Sequence, residues 1–291
     1  MIASAHTNSA SSGRRFLFLH VPKTAGSTFR GIVNRNFGAE AAVENPLMSE
    51  QVYSSAQIET LFEHYPYRFL MGHVFRLMPS LPACGGSIQL ISFVRDPIDK
   101  ARSAYRYLAG RDLTRPDHPV KTKSFVEMCE MVIASGVRSS FLLDSPQIDW
   151  LVGHPDAILG DVAPSVQSER LLLFPTEDFD LACVLLEKRF PQDFADCSYP
   201  ARVNVSRHVA AEEDDIEMAA AERLPWIRVD RALHDLARRN IAAMAQRVVG
   251  SQAQCAAALS DFHSRCKARS QQRRRQRMVL SRFIRRRMRS K

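Results

Sequence analysis

The chain has no C-x-x-C pair and no close Cys/His ligand spacing among its six cysteines (Cys84, Cys129, Cys183, Cys197, Cys255 and Cys266). A structural zinc site, which needs paired ligands, is excluded on that ground. No stretch approaches 18 consecutive apolar residues, so no bilayer-spanning helix is expected. Residues 1–15 are rich in Ser, Ala and Gly and lack the apolar run of a signal peptide, so reduced thiols and a cytoplasmic location are the expectation. The GxxxxGK[ST] pattern of metal-dependent nucleotidases is also missing. Basic residues crowd the C-terminal region: residues 265–291 hold 13 Lys plus Arg and no Asp or Glu. With a net charge of +9 overall, residues 1–264 carry −4 (9 minus 13). The basic character belongs to a tail, and a specific nucleic-acid-binding body is not implied. A composition of 45% hydrophobic and 24% charged residues is that of an ordinary globular chain.

What is present alternates. Phe16 to Val21 is a continuous apolar run, as in a strand buried on both faces. Residues 22–27 form a turn, and Phe29, Ile32, Val33 and Phe37 then recur at helical spacing before Gly38. Residues 39–53 read as loop, 55–64 as a short helix, and 67–72 as a strand ending at Gly72-His73. Ile88 to Val94 is a second strong strand, with Asp96 as N-cap and Pro97 as first residue of the helix that follows. Ser124 and Glu127 form a capping box. Residues 136–168 read as an irregular insertion, 170–174 as a third strand, and helices fit 178–189, 212–223 and 229–249. From about residue 251 no apolar stripe of useful length is apparent. The expected architecture is a P-loop-like three-layer α/β fold: a central, mainly parallel sheet flanked by helices, with additional C-terminal helices. Its expected bounds are a flexible N-terminus at 1–14, a catalytic domain at 15–250 and a helical or disordered Arg-rich tail at 251–291.

Two turns carry the chemistry. After the first strand, Lys23, Thr24, Ala25, Gly26, Ser27 and Thr28 deliver a cation, hydroxyls and free amides to a helix N-terminus, a combination suited to an anion. The bland alternative is an ordinary βα turn with a solvated lysine. After the second strong strand, Arg95 and Ser103 bring a guanidinium fork and a hydroxyl toward one place; the bland alternative pairs Arg95 with Asp96 or Asp99. In a doubly wound sheet both turns lie at the carboxyl edge of the strands, where ligands bind. Two anion sites on one crevice imply a ligand with two separated anionic groups.

The segments His20 to Thr28 (HVPKTAGST), Gly72-His73 and Arg95 to Tyr107 (RDPIDKARSAYRY) resemble the carbohydrate sulfotransferases, the group that includes the heparan sulfate 2-O-sulfotransferases and bacterial relatives. Thr176 to Asp180 and Arg202 to Ser206 resemble later segments of that family less specifically. The resemblance covers residues 15 to 206. It implies 3′-phosphoadenosine-5′-phosphosulfate (PAPS) as co-substrate and a hydroxyl acceptor, on a carbohydrate, glycan or glycolipid. It also implies that residues 23–28 hold the 5′-phosphosulfate and that Arg95 and Ser103 hold the 3′-phosphate. Sulfuryl transfer is then an in-line displacement run by positioning and electrostatics, with no metal required. Lys23 is the candidate to stabilise the departing oxygen and His73 the candidate general base. His20 and Glu177 are the alternatives for the base.

Two other classes stay open at this point: a small-molecule kinase using both turns for ATP, and a non-catalytic nucleotide- or polyanion-binding protein whose active element is the tail. Arginines of residues 273–289 flank Met278, Val279, Leu280, Phe283 and Ile284, as in a helix resting on an anionic membrane surface or polyanion. A peripheral position at the inner membrane surface follows as an expectation.

Overall fold

A computed structural model describes residues 13–43, 52–78, 88–110, 119–135, 146–201 and 211–289. Strand β1 (Arg15–Leu19) leads into helix α1 (Gly26–Phe37), which Gly38 ends with a positive φ of 55° before the short strand β2 (Ala41–Val43). Helix α2 (Ser55–His64) precedes strand β3 (Phe69–Gly72), and β4 (Ile88–Val94) feeds α3 (Pro97–Ala109). Four helices follow: α4 (Pro119–Thr122), α5 (Phe125–Ser135), α6 (Gln147–Val152) and α7 (Leu159–Gln167). Strand β5 (Leu171–Pro175) then leads into α8 (Phe179–Arg189), α9 (Ala211–Glu222), α10 (Ile227–Val248) and α11 (Gln252–Arg289).

The five strands form one parallel sheet in the order β2-β3-β1-β4-β5. Alternation along β1 divides the core. Phe16 and Phe18 face a cluster completed by α1 and α8, with Phe194 and Phe262 in it. Leu17 and Leu19 face the opposite cluster, built with α2, α6 and α7. Sheet residues are therefore apolar on both faces, as a parallel sheet between helical layers requires. A third cluster joins α3, α5 and the stretch from Ala220 to Ile227.

This strand order settles where a ligand crevice lies. From β1 the chain crosses toward β2 and β3, whereas from β4 it crosses the other way, toward β5. The carboxyl ends of β1 and β4 are thus neighbours from which the chain departs in opposite directions, the topological switch point of an open α/β sheet.

Three sequence expectations are corrected. The stretch 39–53 contains β2, only three residues long and too short for periodicity to reveal. The supposed irregular insertion contains α6 and α7; α7 carries Pro164 in its interior, which masks the helical pattern. The region after residue 251 is helical through Arg289, and it does have an apolar stripe: Cys255, Leu259, Phe262 and Cys266 pack on the α8 side of the core. Phe262 is fully buried. Arg265 pairs with Glu187 at 2.7 Å and Asp196 at 2.9 Å, and Arg269 pairs with Asp196, so the first half of this helix is tied to the body. Residues 202–206, one of the segments of family resemblance, lie outside the described residues. No helix among the described residues is long and apolar enough to cross a membrane.

Candidate active site

The turn from β1 into α1 is compact and conformationally demanding. Lys23 and Ala25 both adopt left-handed backbone, with φ of 68° and 64°, a conformation costly for residues with a Cβ. Thr24 staples the turn: fully buried, its hydroxyl donates to the Val21 carbonyl at 2.7 Å. Left-handed Ala25 followed by right-handed Gly26 is the backbone pairing that makes a concavity of amide hydrogens at a helix start. Ser27 is exposed there, while Thr28 is buried. No side chain caps α1.

Gly26 has a defined task. A Cβ at this position would fall 1.9 Å from Nε2 of His20, so the glycine makes room for the imidazole against the helix start. Gly26→Ala is expected to destabilise the protein by about 1–3 kcal/mol through overpacking, as read in denaturant unfolding. Unchanged stability would mean that the His20 ring moves aside freely.

His20 stacks on His73, with ring centroids 3.9 Å apart and planes 20° from parallel. The Nδ1 atom of His73 lies 2.8 Å from the His20 carbonyl oxygen. A carbonyl can only accept, so Nδ1 carries the hydrogen and Nε2 presents its lone pair. Burial and the charges of Arg76 and Arg30 hold His73 below the ordinary histidine range, against the opposing pull of its bond to His20. His20 is lowered further by burial, by His73 and by Arg30. At neutral pH both rings are uncharged, the state a proton acceptor needs.

The second turn abuts the first. Ser92 Oγ donates to the Leu19 carbonyl at 2.7 Å, tying β4 to the end of β1. Lys23 Nζ lies 3.9 Å from the centroid of Tyr107 on α3. Asp96 caps α3, accepting the Ile98 and Asp99 amides at 3.0 and 3.1 Å, with Pro97 as first helical residue. Arg95 is partly exposed, its guanidinium 3.8 Å from Asp99. This is a long contact to a half-exposed carboxylate, of the kind worth well under 1 kcal/mol. Ser103 is buried on α3, two turns from the Asp96 cap. The crevice therefore gathers Lys23, Arg95 and the α1 amides on neighbouring strand ends, with the histidine pair on the β3 side.

Glu177, in the turn after β5, is bound up in the second turn. Its carboxylate accepts the Asp96 amide at 3.0 Å and meets His234 Nε2 at 2.9 Å. Burial works to raise its pKa, but those two partners outweigh it and hold the carboxyl below its usual range. A carboxylate so engaged is a poor proton acceptor and serves to brace the turn.

Sequence reasoning missed several residues here. Arg76 donates to the His73 carbonyl and, at 3.0 Å, to that of Phe75, while its guanidinium lies 5.0 Å over Trp150. Burial pulls Arg76 down to about 10, so it remains a cation at neutrality. Trp150 also meets His73 edge-on at 6.0 Å. Arg30 follows Gly26 by four residues, so its place on the same face of α1 was a readable signal. Trp150 and Gln147 had none, lying in the stretch read as irregular. Among the described residues no group of three or more His, Cys, Asp or Glu could hold a metal ion.

No family model matches the chain, and no curated protein matches it. Among solved structures, mouse sulfotransferase SULT7A1 complexed with PAP is similar at 13% identity and a TM-score of 0.39, covering 88% of this chain and 90% of that one. A likeness at this level assigns no role to any residue here.

Proposed function

We propose that this protein is a sulfotransferase that moves a sulfuryl group from PAPS to a hydroxyl on a carbohydrate or glycoconjugate. The observation that carries this reading is the juxtaposition at the β1 and β4 ends: the Lys23 turn and the Arg95–Ser103 helix meet through Lys23 and Tyr107, with His73 alongside. The fit of residues to donor is chemical. A nucleotide with two anionic ends needs cations and amide hydrogens at two places, and needs the nearby carboxylates occupied. Asp96 is spent on capping α3 and Glu177 on Asp96 and His234.

In this reading the α1 amides and Lys23 bind the phosphosulfate, and Arg95 with Ser103 binds the 3′-phosphate. His73 Nε2 accepts the acceptor hydroxyl's proton as that oxygen attacks sulfur. Lys23 stabilises the negative charge that grows on the departing oxygen. Arg76 and Trp150 orient His73 without touching the donor.

A radiolabelled-donor transfer screen across glycans, glycolipids and small alcohols tests the proposal: label is expected on at least one hydroxyl acceptor, with no magnesium requirement. Phosphate transfer from ATP in the same screen, with no sulfuryl transfer, would establish the kinase reading instead. Arg95→Ala should raise the donor KM about tenfold or more, the worth of a charged hydrogen bond, with kcat little changed. A donor KM equal to wild type in initial-rate kinetics would remove Arg95 from the donor site.

A further inference from the structure

At the end of β4, four successive main-chain groups are each bound by a side chain from another segment. The Thr176 hydroxyl donates to the Val94 carbonyl at 2.9 Å. The Gln147 amide takes both groups of Arg95: Oε1 accepts its N–H at 2.8 Å and Nε2 donates to its carbonyl at 2.7 Å. Glu177 accepts the Asp96 amide. Two of these three side chains are backed by α10. Asp230 accepts the Gln147 main-chain N–H at 2.8 and 2.9 Å, and His234, one turn further along, holds Glu177.

Gln147 and Asp230 are fully buried, and Lys100, whose charge acts on Asp230, is 1% exposed. Burying an amide and a carboxylate is costly unless every polar atom is matched. A turn that only had to change direction could leave its N–H and C=O groups to water. Pinning the main chain on both sides of one residue fixes the direction in which its side chain leaves the backbone, as the supporting shell of a binding site does.

We propose that Gln147, backed by α10, is the positioning residue for Arg95: it aims the guanidinium into the β1–β4 crevice so that it meets an anion without reorganising. The identity of that anion rests on the sulfotransferase reading; the clamp itself does not.

Gln147→Ala removes the clamp but keeps the main-chain N–H that Asp230 accepts. Calorimetry with 3′-phosphoadenosine-5′-phosphate should show binding weakened about ten- to a hundredfold, the scale of a misplaced binding group. Donor KM should rise in step while kcat at saturation holds. Amide hydrogen exchange over residues 95–99 should accelerate. Gln147→Glu provides a readout that loss of packing would not move. A protonated carboxyl repeats the amide's donor and acceptor, whereas the ionised form accepts from the Arg95 N–H but repels its carbonyl and Asp230. Relative to wild type at each pH, this variant should bind the nucleotide well under acid conditions and lose affinity as pH rises. The charged groups around the clamp are Asp230 and Lys100, Arg95 with Asp96 and Asp99 beside it, and, one turn along α10, His234 with its partner Glu177 from the turn after β5.

Wild-type affinity in a folded Gln147→Ala protein would overturn the proposal, as would a Gln147→Glu protein whose relative affinity ignores pH. If the wild type itself fails to bind the nucleotide, the sulfotransferase reading falls. Exchange over 95–99 then decides the clamp: faster exchange in Gln147→Ala supports it and unchanged exchange overturns it.

Discussion

Replacing His73 with alanine is expected to lower turnover by about 10²–10⁴-fold, the usual contribution of a positioned general base, with little change in donor affinity. The expectation rests on two features. The His20 carbonyl holds the Nδ1 hydrogen, so the basic lone pair sits on Nε2. Burial, Arg76 and Arg30 keep the ring below the ordinary histidine value, so it is neutral at pH 7. The pH profile carries a matching sign. Because the neutral form is the active one and its pKa is depressed, kcat should stay flat through neutrality and decline only below about pH 6.5, the unperturbed value. Initial rates across pH measure both effects. Wild-type turnover in the variant would remove His73 from the base role, and an acid limb centred above 6.5 would mean that the ring's surroundings stabilise its charge.

Lys23→Ala should cost about 10²–10³-fold in kcat, corresponding to roughly 3–4 kcal/mol for a preorganised donor at the developing oxyanion. A second effect accompanies this one and can be separated from it. Lys23 lies over the Tyr107 ring, and an exposed cation–π contact is worth about 0.5–1 kcal/mol of stability. Were that contact the whole role of Lys23, the variant would melt slightly lower and turn over normally. A large loss of kcat with a small loss of stability is the expected pattern. Arginine at this position should restore little, because a planar fork does not replace a compact ammonium.

Much of the architecture was readable because parallel strands and their helices have strong local signatures. Phe16 to Leu19 and Ile88 to Val94 are apolar on both faces, and Asp96 with Pro97 marks the start of α3 without ambiguity. What was lost had physical reasons. Strand β2 has too few residues for an alternation to register. Pro164 sits exposed inside α7 against its local preference, in a helix whose Val162 and Val166 are buried in the core. The apolar stripe of α11 is spread over Cys255, Leu259, Phe262 and Cys266 among polar neighbours.

The candidate site divides along the same line. Lys23, His73 and Arg95 lie in contiguous segments, and their residue types announce their chemistry. The groups that support them are long-range partners. Gln147 reaches Arg95 across 52 positions and His234 reaches Glu177 across 57. Nothing in the local pattern around an isolated glutamine or histidine encodes such a contact. Gly26 illustrates the limit within a motif. The sequence marks it as part of an anion-binding turn, but the group it makes room for is the imidazole of His20.

In the proposed reading a single nucleotide bridges the Lys23 turn and the Arg95 turn. Calorimetric titration of 3′-phosphoadenosine-5′-phosphate into the wild type, Lys23→Ala and Arg95→Ala proteins tests it most directly. One-to-one binding that weakens in both variants is the predicted result. No binding by the wild type, or binding indifferent to both substitutions, would mean that no nucleotide spans the two turns.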